Sequence, residues 1–288
     1  YIEERPDSAL NVLQGMDKGE LSGKEEKAKH ALLLSMAMDK NYIDRTDFDV
    51  LQPAIDFYED HGSATDKLRT YYYQGRIYQN AGNDAAAMES FVNSLDMGSE
   101  SNDNLTKARI LVAQSNIYYS LMKWEKVCDV NIEAANYYNE LGRTNNYVYC
   151  LLRCIGGYIQ SNNFDKAKDL LGKCYQYTEN LPELLISEIY SYHLLYSVAA
   201  NNFESVPLII GEYKNKVSEE NIDYLTVAGA YADIGAYDKA EDMLVRINTK
   251  SLEDNNKTLK YYTTLIRIYR HKGDYRKVYE SHLKFNEL

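Results

Sequence analysis

Cys128, Cys150, Cys154 and Cys174, with His30, His61, His193, His271 and His282, are the side chains whose types could hold a metal or attack a substrate. Cys150 and Cys154 stand four residues apart. On a helix, beta carbons so spaced are about 5–6 Å apart, farther than a disulfide permits. Zinc takes four ligands, often in CxxC or HxxxH pairs, and neither spacing occurs. The four thiols therefore read as small core hydrophobes. The histidines share no short spacing, although a nucleophile and its base need not be sequence neighbours. The chain has no phosphate-cradling glycine loop, nucleophile elbow or HExxH motif. Its carboxylate pairs, Glu25-Glu26, Glu219-Glu220 and Glu253-Asp254, fall in helix starts or connections. There the helix dipole favours negative charge without any acid–base role. Nothing in these residues supports an enzyme, a cofactor or a metal.

Composition excludes more. The 288 residues carry 43 acidic and 32 basic side chains, a net charge of −11, which opposes the phosphate-neutralising part of nucleic-acid binding. Four Pro and 15 Gly are too few for a disordered chain or a turn-rich sandwich. No run approaches the ~18 apolar residues of a membrane span. The chain opens at Tyr1 and stops at Leu288 inside a patterned segment, so both ends read as cuts, with any targeting leader upstream of Tyr1.

The elements that must position any site come from a repeat. A spacing of 4, 3, 6, 3 and 4 residues picks out Tyr71, Gly75, Tyr78, Asp84, Ala87 and Phe91. The same spacing fits from Leu111, Leu151, Tyr190, Tyr224 and Tyr262, at steps of about 34 to 40 residues. Its first three members sit at i, i+4 and i+7, one stripe of a helix. Its last two sit four apart on a second helix. Short turns such as Asn80 to Asn83, Ser161 to Asn163 and His271 to Gly273 separate the two, since Gly and Asn tolerate the left-handed conformation. Each unit is a helical hairpin that cannot bury its apolar face alone, so neighbours must stack.

These columns resemble the tetratricopeptide repeat, whose aromatic, Gly, Tyr, Ala and aromatic pattern they follow, best in Tyr71 to Phe91, Leu151 to Leu171 and Tyr224 to Leu244. Asn131 and His282 depart from it where a large apolar residue belongs, Asp84 replaces the turn aromatic, and Ile155, Leu194 and Ile266 are bulky where a small residue is usual. Pro207 forces a late start or a kink in its helix. The Leu111 and Tyr190 hairpins are therefore expected to be the least stable.

Upstream, helices are expected over about 6–16, 24–40 and 49–61. The last two form a divergent hairpin. The resemblance implies an all-α, right-handed superhelix, one continuous repeat domain over 1–288, with a cap helix and divergent hairpin in 1–66 and six hairpins in 67–288. Val278, His282 and Phe285 run on at helical spacing without a stop, so the array is expected to continue past Leu288. The segments Arg5 to Asp17 and Lys27 to Asp44 also resemble the start of tetratricopeptide proteins from Bacteroidales. In that group an export or lipoprotein signal often precedes the repeats, and a membrane helix or DNA-binding module often follows.

In the tetratricopeptide family a groove on the concave face binds segments of other proteins. Tyr72, Tyr119 and Tyr149 resemble its lining positions. The stripe they share, rotated ~100° from the core stripe at 100° per residue, carries Arg69, Arg76 and Gln79, then Arg109, Val112 and Asn116. It continues with Leu152, Gly156 and Ile159, Ser191, Leu195 and Val198, Leu225, Gly229 and Ala232, and ends on Lys260, Arg267 and Arg270. Two readings fit: a groove for a protein or peptide with an apolar middle and acidic ends, or tight packing of adjacent helices flanked by surface Arg. The expected function is a non-catalytic protein- or peptide-binding scaffold. The alternative is a sensor module that relays peptide binding to a C-terminal domain.

Overall fold

The computed structural model describes residues 2–247 and 255–286; Glu253 and Asp254 lie outside them. Among the described residues there are fifteen α-helices and no strand. The chain divides into two compact units, residues 1–150 and 151–288.

The first unit holds α1 (Pro6–Gly15), α2 (Lys24–Lys40), α3 (Gln52–His61), α4 (Ala64–Asn80), α5 (Asp84–Met97), α6 (Asn104–Ser120) and α7 (Trp124–Glu140), with α8 (Thr144–Gln160) running across the division. The second holds α9 (Phe164–Tyr175), α10 (Glu183–Ala199), α11 (Val206–Lys216), α12 (Tyr224–Asp233), α13 (Tyr237–Val245), α14 (Asn255–Lys272) and α15 (Tyr275–Asn286). Sequential helices pack as hairpins, α2 with α3, α4 with α5, α6 with α7, α10 with α11, α12 with α13 and α14 with α15. The first helices of successive hairpins also touch, α2 with α4 and α4 with α6, then α10 with α12 and α12 with α14.

The repeat columns explain this arrangement. Gly75, Ser115, Ile155, Leu194, Ala228 and Ile266 are all buried, as are Ala87, Val127, Ala167, Val206 and Ala240 on the second helices. Gly75 has a steric reason: a beta carbon there would stand 2.5 Å from a ring carbon of Phe91. The Asn162 turn takes the left-handed conformation at φ 57°. So does Met122 at φ 54°, a position no turn-forming residue announces. Ser63 and Asp66 form a reciprocal capping box that starts α4.

Four details differ from the sequence reading or refine it. Helix α3 begins at Gln52 rather than Asp49, because Pro53 suits a first turn. Helix α11 begins at Val206 after a 3₁₀ turn at Phe203–Ser205, the late start that Pro207 requires. Tyr71, expected in the core, is half-buried, while Tyr72 and Tyr73 are buried. All four cysteines are buried and unbridged. No described helix is long and apolar enough to cross a membrane.

A cleft between the first helices of the N-terminal unit

Helix α4 packs on α2, α3, α5 and α6, so its buried arc is broad enough to swallow a stripe one residue away from the core column. Tyr72 lies in that arc. It is 5% exposed, with its ring edge-on to Tyr73 at 4.8 Å and its phenol pushed well up by burial and by the charge of Asp39. Leu152 is likewise 1% exposed, in a run where Cys150, Leu151, Cys154 and Ile155 are also buried. Both residues belong to the core rather than to a groove surface.

Four of the five expected arginines, Arg69, Arg76, Arg109 and Arg267, are paired with acids rather than open positive charges. Arg69 Nε donates to Asp103 Oδ2 at 2.7 Å. Arg76 Nε donates to Asp39 Oδ1 at 3.3 Å, and its Nη1 donates to Gln79. Arg109 Nη2 donates to Glu3 Oε2 at 2.6 Å, and Lys40 Nζ reaches the same carboxylate at 3.4 Å. In the second unit Arg267 pairs with Asp233 at 2.7 Å, and Lys260 donates to Thr226 Oγ1. Three of these partners, Asp39, Asp103 and Asp233, lie 34 to 37 residues from their arginines, about one repeat along the chain. Acids standing one repeat length away at the same height were the available signal. Glu3, 106 residues from Arg109, left none.

Electrostatics of the cluster follow from partial burial. Burial pushes the Glu3 carboxyl up, but the hydrogen bond and charge of Arg109, with Lys40, outweigh it and hold the group below its usual value. Lys40 is lowered by burial and by the like charge of Arg109, against the attraction of Glu3. Asp103 is opposed by burial and held low by the Thr106 amide and by Arg69. That same carboxylate caps α6, accepting from Thr106 N at 3.1 Å and Thr106 Oγ1 at 2.8 Å.

Around these pairs opens a cleft of about 470 Å³. Its apolar wall is Ile2 with Val12 and Leu13 of α1, Leu33 and Met36 of α2, and Leu105 of α6, and its polar edges are the Arg69–Asp103 and Arg109–Glu3 pairs. Val12 is 61% exposed, apolar surface facing open space. The structure thus joins Arg69 and Arg109 at one site, with Ile2, Glu3, Val12, Leu33 and Met36, which sequence reasoning missed. Asn116 and Tyr119 lie nearer the far end of α6, both exposed, with the Tyr119 ring edge-on to Trp124. Tyr149 is exposed on α8, and Arg267 and Arg270 are exposed on α14 of the second unit. None of these five lines the cleft. Among the described residues no cluster of three or more His, Cys, Asp or Glu could hold a metal.

No family model and no curated protein matches the chain. Solved structures do. A Rap protein complexed with competence and sporulation factor is 13% identical with a TM-score of 0.62, over 97% of this chain and 79% of that one. The apo form of RapI is 14% identical with a TM-score of 0.64, over 99% and 91%. At such identity the likeness establishes the fold. The chain has an all-α, superhelical repeat fold of the tetratricopeptide-like kind.

Proposed function

We propose that the chain is a non-catalytic scaffold that binds a peptide, or an extended segment of a protein, in the cleft of its first unit. The observation that carries this reading is the cleft itself: apolar walls supplied by α1, α2 and α6, closed at its edges by partly buried ion pairs. Apolar side chains of a ligand would gain ~25 cal/mol per Å² buried, less the cost of ordering the peptide. Directed donors at the edges would fix its register. The Rap protein solved with competence and sporulation factor shares the architecture and supports the reading by analogy of fold. Acidic ligand ends were expected opposite Arg69, Arg76 and Arg109 and opposite Lys260, Arg267 and Arg270; four of these arginines pair with the chain's own acids, and the proposal keeps an acidic group only opposite Arg109, which shares a single carboxylate with Lys40.

The sensor reading has one observation in its favour. The segment before α1 reaches α6 through Glu3 and Arg109, so a ligand seated there would alter what α1 contacts.

Selection of a displayed random peptide library on the purified chain tests the proposal. Enriched peptides should bind at micromolar or tighter dissociation constants, and Val12→Glu, which places a charge on the exposed apolar wall, should weaken them at least about tenfold. Enrichment of nothing, or of peptides indifferent to Val12→Glu, would overturn it.

A further inference from the structure

Among the three ion pairs that the inner-stripe arginines Arg69, Arg76 and Arg109 make in the first unit, the one between Arg109 and Glu3 differs in construction. Asp39 lies within α2, and Asp103 is locked in place by capping α6. Glu3 belongs to neither kind of support. It sits in a short turn before α1, held there by Ile2, which packs on the small cluster of Ala9, Leu10, Leu34 and Ala37. Its carboxylate faces two cations, Arg109 with a side chain only 14% exposed and Lys40 at 24%. The next acid along, Asp39, is already engaged by Arg76. Two positive groups and one negative leave the cluster net cationic in a chain of net charge −11, and a half-buried guanidinium retains a strong demand for an anionic partner. Glu3 and Arg109 line the apolar cleft, and Lys40 stands behind them through its contact with the Glu3 carboxylate.

We infer that Arg109 and Lys40 form the carboxylate subsite of the cleft, made for an acidic side chain or terminal carboxylate of a bound peptide, and that Glu3 is the chain's own occupant of that subsite, displaced when the peptide binds. The inference rests on the peptide-binding reading above and gives it a ligand chemistry: apolar residues flanking a carboxylate. It also gives the site a threshold, since an incoming peptide must exchange one Arg–carboxylate pair for another. The bidentate-capable guanidinium is suited to that exchange, because the number of charge-assisted hydrogen bonds is conserved across it. Competition by a tethered group lowers apparent affinity in proportion to the fraction of time the subsite is filled.

The test uses the full chain and, as probe, the dominant peptide enriched on the Glu3→Gln variant from a displayed twelve-residue random library, together with its copy in which each acid is replaced by its amide. The acidic probe should bind Glu3→Gln about tenfold more tightly than it binds the unaltered chain. On Glu3→Gln, the amide copy should bind about tenfold more weakly than the acidic probe. Adding Arg109→Gln should abolish that preference for acid over amide. Lys40→Gln added instead should reduce it, which keeps the test decisive if the Arg109 variant melts. Equal binding of acid and amide copies to Glu3→Gln, or equal binding of the acidic probe with and without Glu3, overturns the inference. If peptides are enriched on the unaltered chain but none depends on an acid, the inference falls and peptide binding stands. If none is enriched on either chain, both fall.

Discussion

Asn131 of α7 donates to the Ser115 hydroxyl of α6 and to the Val127 carbonyl, so a polar pair holds the place where neighbouring hairpins pack apolar side chains. Asn131 is fully buried, and its Oδ1 has no partner among the described residues. Removing one member strands the other, whereas replacing both by apolar groups relieves an unsatisfied acceptor. Ser115→Ala alone should cost ~1–3 kcal/mol. The double change Ser115→Ala with Asn131→Leu should restore most of that or exceed the original stability. Thermal unfolding of the parent and the two variants decides it, and a double variant less stable than Ser115→Ala would show that the pair is stabilising as it stands.

Gly75 and Gly172 make opposite predictions from the same substitution. A beta carbon at Gly75 collides with the Phe91 ring, while at Gly172 it meets nothing within 4 Å. Both are interior to helices, where Ala is favoured over Gly by roughly 0.5–1 kcal/mol. Gly172→Ala should therefore stabilise, and Gly75→Ala should destabilise by ~1–3 kcal/mol through overpacking. Chemical denaturation measures both, and a Gly75→Ala variant as stable as the parent would mean that α4 and α5 can move apart cheaply.

Much of the fold was legible because the determinants are local. The buried small residue in α4, Gly75, its counterpart Ala228 in α12, and the Asn or Gly turns all lie within one hairpin of the helices they organise. Helix α2 runs from Lys24 to Lys40 as its pattern predicts. The site was legible only in part. Arg69 and Arg109 were recognisable as inner-face residues; the pairing of Arg69 with Asp103, one repeat along, was within reach of the periodicity, whereas that of Arg109 with Glu3, 106 residues away, depends on which segments meet in packing. Tyr72 reads as a surface residue from one helical stripe, but α4 packs against four other helices, which widens its buried arc.

His193 should make the second unit sensitive to mild acid. Its Nδ1 lies 2.8 Å from the Tyr175 hydroxyl, and burial lowers its pKa from the ordinary 6.5, opposed in part by the charge of Glu212. A depressed folded pKa means that the unfolded chain binds more protons, so the contribution is fully present above about 6.5 and is lost as pH falls through the folded value. The melting temperature of the second unit should drop between about pH 7 and pH 5, and His193→Gln should flatten that drop. An identical pH profile for both chains would show that protonation of His193 is not what the acid limb reports.

Truncating a repeat column should be costly wherever the column is filled. Leu171 is 3% exposed in α9, and Leu171→Ala should lower stability by ~2–5 kcal/mol. A loss below about 1 kcal/mol in a urea titration would mean that the surrounding helices close over the space.

Hydrogen exchange of the chain, free and saturated with a library-selected peptide, tests the central claim most directly. The account predicts slowed exchange in α1, α2 and α6, the helices that wall the cleft, with helices of the second unit little changed. Protection confined to α9 through α15, or the absence of any peptide that produces protection, would contradict it.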